Sequence, residues 1–142
     1  MSLTLSLLAA LVGPFVMVAF DALLHGLSHG GHGPLELIWR QAKGERSTKP
    51  AFLSAIGWHI AADVLLGLLV FALVAVMGKP GLGTGAGIGA LVGGIVALYW
   101  IHVYSAFETS GRTIAALAGL SIVQLVLTSI AVTILYSNES GT

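Results

Sequence analysis

Asp21 and His25 stand four residues apart, and so do His59 and Asp63. On a helix that spacing puts both members of each pair on one face. A carboxylate and an imidazole held side by side support several chemistries. Both are common ligands for zinc, iron, nickel and manganese, and a carboxylate beside a ligating histidine can instead orient it. The pair can also relay protons, because imidazole has an unperturbed pKa of about 6.5. Two histidines from neighbouring helices, here His59 and His102, would suit the axial positions of a haem iron. A DxxxH spacing is short, and no HExxH-type signature accompanies either pair.

The elements that must position these residues follow from composition. The chain has 142 residues, of which 56 % are hydrophobic and only 8 % charged. A soluble domain carries about 25 % charged residues, so a membrane-embedded chain is the class that fits. The formal net charge is zero, which gives no grip on nucleic acid. Cysteine is absent, so disulfides, thiolate metal sites and cysteine nucleophiles are excluded. The N-terminus has no Lys/Arg n-region, and its apolar run from Leu3 to Leu24 is longer than a signal-peptide core.

A helix needs about 20 mostly apolar residues to cross the hydrocarbon layer. Four segments meet that need: 3–25, 51–77, 82–106 and 113–136. Pro80-Gly81 and "ETSGR" (108–112) are turn sequences, and 26–50 is the one long loop. Short links favour antiparallel neighbours, so the expected fold is an all-α membrane protein, an up-down bundle of four transmembrane helices in one domain. Gly13-Pro14 is expected to kink the first helix. Arg40, Lys43, Arg46, Lys49 and Arg112 fall on one side and Lys79 on the other. The positive-inside rule then puts the long loop in the cytoplasm and both termini outside, in a bacterial or archaeal cytoplasmic membrane. The stretch 35–50 is mildly amphipathic and suits the anionic membrane surface. Trp39, Trp58, Tyr99, Trp100, Tyr104 and Tyr136 suit interfacial belts.

Depth decides which polar residues can meet. At about 1.5 Å per residue, Asp21 and His102 lie about 10 Å to the cytoplasmic side of their span centres, and His59 about 7 Å. Asp63 and Gln124 fall near the midplane. Tyr99, His102 and Ser105 form a stripe on the third span, and Ser121, Gln124 and Thr128 form one on the fourth. If every stripe faces inward, one polar pocket results. Its expected metal set is Asp21, His25, His59, Asp63 and His102, with zinc or iron as the divalent ion. Its expected ion pathway runs through His59, Asp63 and Gln124 to Glu108 at the mouth. Haem ranks lower, because Asp63 would set a carboxylate against an apolar macrocycle. His29 and His32, with His25, resemble a loose surface clamp, but the glycine-rich "HGLSHGGHG" reads first as solvated histidines.

The third span carries "GLGTGAGIGALVGG". Its chance dinucleotide fingerprint lacks a strand–loop–helix setting and is rejected. Gly85, Gly89 and Gly93, with Ala97, recur every four residues and make a smooth seam for close helix approach. Internal packing is the first reading of that seam, and contact with a second copy or a larger membrane partner is the other.

The segment "GALVGGIVALYWIHVYSAFETSGRTIAALAGLSIVQLVLTSIAVTIL" (89–135) resembles, in pattern, small bacterial four-helix membrane proteins of unknown function. The resemblance covers about a third of the chain. It implies four helices and a short polar turn before the last one, and it assigns no functional residue. Ser28, Ser54 and Ser105 lack a nucleophile setting, and a metal-dependent lipid hydrolase has little direct support, so the chain does not read as an enzyme. The leading expectation is binding or translocation of a small cation, a proton or a divalent metal. The alternative is a non-catalytic accessory subunit of a larger membrane complex.

Overall fold

A computed structural model describes residues 3–28, 49–78, 81–105 and 111–138. Within the helices, side chains are described for 7–23, for 57–76 except His59, for 82–102, and for 111–137 except Thr113. The described residues form four α-helices and no strand: α1 (Leu3–Ser28), α2 (Lys49–Val76), α3 (Leu82–Ser105) and α4 (Gly111–Asn138). Each is a long run of Leu, Ala, Val and Ile broken by few helix-opposing residues. Pro50 sits in the first turn of α2, where its missing N–H is not needed. Among the described residues Pro14 is the one proline deep inside a helix, and α1 runs through it. Gly78 closes α2 in the left-handed region at φ 76°, with its N–H donated to the Ala75 carbonyl at 3.1 Å.

The helices do not pack evenly. α3 and α4 share the most extensive contact, and α1 packs on both α2 and α4. α2 also reaches α4 across the bundle, whereas α2 and α3 meet only sparsely, and α1 and α3 do not touch among the described residues. The bundle is therefore sheared, with α2 and α4 on its short diagonal and a loose seam between α2 and α3.

Glycines explain the tight seams. A Cβ added at Gly89 would lie 2.5 Å from the Leu125 carbonyl oxygen, and one at Gly93 would lie 2.7 Å from Ile122 Cα. At Gly85 it would meet the Thr133 side chain. As the glycine number rises along α3, its neighbour's number falls along α4, so the pair is antiparallel. The glycine seam is thus filled within the chain, by α4. A second close crossing joins α1 to α2, where a Cβ on Gly13 would lie 2.5 Å from the Gly67 carbonyl oxygen, and one on Gly67 would strike Pro14. From sequence, Gly13-Pro14 reads only as a kink, and this partner is missed.

Met17, Val70, Val74, Val92, Leu125 and Val132 make the apolar centre. Around it, polarity is inverted relative to a soluble bundle. Asp63, Ser121, Gln124, Thr128, Ser129 and Thr133 are all buried. Phe15, Leu11, Leu65, Leu91 and Leu98 are each at least 65 % exposed. α3 and α4 contain stretches, Leu82–His102 and Ile114–Ser137, long and apolar enough to cross a membrane, and shorter apolar stretches run over Leu7–Leu23 and Ile60–Val76.

Candidate cation cavity

A half-open cavity of about 920 Å³, lined by all four helices, lies along the loose α2–α3 seam. Its lining comes from the C-terminal halves of α1 and α3 and from the N-terminal and middle turns of α2 and α4, so it occupies the end of the bundle at which α1 ends and α2 begins.

Four polar side chains mark its interior: Asp21 from α1, Asp63 from α2, and Ser121 and Gln124 from α4. Asp63 is only 5 % exposed, and both it and Asp21 make polar contacts within the protein. Gln124 Nε2 donates to the Met17 carbonyl at 3.1 Å and to Asp21 Oδ1 at 3.0 Å. These two bonds tie α4 to α1 across the bundle and use both amide hydrogens. The Ser121 hydroxyl donates to its own helix, to Leu117 O at 3.0 Å. Thr128, one turn beyond Gln124, donates to the Gln124 carbonyl at 2.8 Å. The four groups carry carboxylate oxygens, an amide oxygen and hydroxyl oxygens, all of them acceptor atoms, and those of Asp21 and Asp63 already take part in contacts within the protein. Such a surface selects a hydrogen-bond donor or a cation.

The walls are apolar, with Met17, Leu66, Val96 and Leu125 among them. At the α2–α3 seam, Trp58, Leu65, Ile95 and Tyr99 line the cavity and are also exposed, Trp58 by 76 %. The cavity therefore opens sideways between these two helices. Tyr99 meets Trp100 edge-to-face, with ring centroids 5.9 Å apart. Further along the bundle, Ser129 Oγ donates to Gly85 O at 2.6 Å, and Tyr136 OH donates to Ala75 O at 3.4 Å.

Asp21, Asp63 and Gln124, singled out from the sequence, line one cavity. His102 is exposed and is absent from the described lining. His25 and His59 belong to α1 and α2, each one turn from its aspartate, but their side chains fall outside the described residues. Glu108, His29 and His32 also fall outside them. Among the described residues, no three or more His, Cys, Asp or Glu side chains form a group that could hold a metal ion. Sequence reasoning missed the Met17 carbonyl as a partner, since a backbone acceptor leaves no mark in residue type. Trp58 and Trp100, expected in interfacial belts, also line the cavity, a role their residue type did not mark.

Compared with protein-family models, curated proteins and solved structures, the chain has no match.

Proposed function

We propose that this chain is a membrane-embedded four-helix bundle that binds a cation at Asp21, Asp63 and Gln124 and exchanges it for protons. The observation that carries the reading is the presence of both Asp21 and Asp63 in the lining of one largely apolar cavity, beside Ser121 and Gln124. Carboxylates are costly in a bilayer and are retained there chiefly along ion or proton pathways.

Two features support the membrane setting. The outer faces of all four helices carry exposed Leu, Ile, Val or Phe, while the hydroxyls, amide and Asp63 are inside. An aqueous surface would not tolerate apolar patches on that scale. α3 also stays helical across six glycines. Each glycine in a helix costs about 1 kcal/mol relative to alanine in water, whereas a bilayer obliges the backbone to bond to itself.

The test is infrared titration of purified protein in lipid nanodiscs, reading the carboxylic C=O stretch from acid to alkaline pH. The expected result is a pH-dependent band that weakens in Asp63→Asn, with far-ultraviolet circular dichroism unchanged. A band indifferent to that substitution would mean that the buried cavity carboxylate does not exchange protons, and the reading would fail.

A further inference from the structure

We infer that the cation taken by this cavity is an organic one with an apolar body, such as a quaternary phosphonium or ammonium ion bearing aromatic or alkyl groups. The inference rests on the cation reading above and names the class of cargo.

Size is the first argument. A bare metal ion or a proton needs a few converging ligands and almost no volume. About 920 Å³ lies toward the upper end of the range that accommodates small organic molecules, about 300–1,000 Å³. The lining is the second. Apart from Asp21, Asp63, Ser121 and Gln124, the lining side chains are aliphatic, aromatic or, at Met17, a thioether. Hydrated inorganic ions gain nothing from such walls, whereas an apolar body gains from every contact that removes it from water.

Charge complementarity is the third argument. Asp21 and Asp63 supply negative charge, and the described lining contains no Lys or Arg. The aromatic rings of Trp58, Tyr99 and Trp100 stand along the same cavity, and the faces of such rings attract organic cations. The route is the fourth. Exposed lining residues on facing positions of α2 and α3, Trp58 and Leu65 against Ile95 and Tyr99, place the entrance on the side of the bundle. In a bilayer that side faces acyl chains, where an apolar cation concentrates and an inorganic ion does not.

The experiment uses the full chain in lipid nanodiscs and tetraphenylphosphonium as probe, with binding read by equilibrium dialysis and by quenching of tryptophan fluorescence. Expected is saturable binding. The neutral analogue triphenylphosphine oxide should bind at least tenfold more weakly. Asp63→Asn should lower affinity at least tenfold, and so should Ala62→Trp, which fills the mouth without touching a carboxylate. Leu127→Ala, outside the cavity, controls for partition into lipid and should bind as the unaltered protein does. Circular dichroism and size-exclusion profiles establish that each variant is folded. Probe uptake that is equal in all variants, or equal for the neutral analogue, would be partition into lipid and would overturn the inference. Carboxyl titration in the infrared without phosphonium binding would also overturn it while leaving the cation reading intact. Absence of both would end the two together.

Discussion

Replacing Gly89 by alanine sets two effects of opposite sign against each other. Alanine is the better helix former by about 1 kcal/mol. The new methyl, however, would lie 2.5 Å from Leu125 O and 2.6 Å from Val126 Cα, where ordinary contact begins at 3.4 Å. Both neighbours are backbone, so no rotamer change relieves the clash, and α4 must withdraw by about 0.9 Å. Withdrawal loosens Leu125 and Val92 in the centre of the bundle. Overpacking of this kind costs about 1–3 kcal/mol, which outweighs the propensity gain. Gly89→Ala is therefore expected to destabilise by about 1–2 kcal/mol. Gly87 lies on the same helix, and a methyl there would have no neighbour within 4 Å, so Gly87→Ala should be neutral or more stable by up to about 1 kcal/mol. Gly85→Ala should fall between them, since its obstacle is the Thr133 side chain. Reversible unfolding in mixed micelles of rising sodium dodecyl sulfate, followed by circular dichroism, measures all three. Equal shifts for Gly87→Ala and Gly89→Ala would refute the α3–α4 seam.

Three further outcomes follow from the same geometry. Gln124→Leu removes the donors to Met17 O and Asp21 Oδ1 and should destabilise by about 1–3 kcal/mol, with amide hydrogen exchange rising first in α1. Gly67→Ala, whose methyl would strike Pro14 on α1, should cost about 1–3 kcal/mol in the micelle assay, whereas Gly57→Ala, with open space around it, should not. Thr133 Oγ1 is buried without a hydrogen-bond partner among the described residues, so Thr133→Val should be neutral or stabilising by about 1 kcal/mol; a loss of stability there would show that the hydroxyl has a bond.

The sequence marks the four helices well because each is a long apolar run, and run length survives any packing arrangement. Small residues every four positions mark Gly85, Gly89 and Gly93 as a contact seam, but the partner helix is a property of the whole bundle and has no local signature. Gly13 shows the limit more sharply. Its neighbour Pro14 suggests a local bend, while the close approach depends on Gly67, more than fifty residues away. At the cavity, the spacing of Asp21, Asp63, Ser121 and Gln124 makes them candidates as polar residues inside apolar helices. Their arrangement around an opening between α2 and α3 depends on uneven packing, which residue periodicity does not encode. Trp58 and Trp100 fit a belt by residue type, and that they also line the cavity follows only from the backbone path.

A cation site of this kind requires a bundle that presents apolar faces to lipid and keeps its polar groups within. The chain has no cysteine, so a single spin label can be placed on each helix in turn, at Phe15, Leu69, Leu91 and Leu127, all exposed and apolar. Electron paramagnetic resonance in proteoliposomes then compares collision with oxygen, which concentrates in acyl chains, against a water-soluble nickel chelate. High oxygen and low nickel accessibility are expected at all four sites. High nickel accessibility there would place the faces in water and contradict the membrane-embedded bundle.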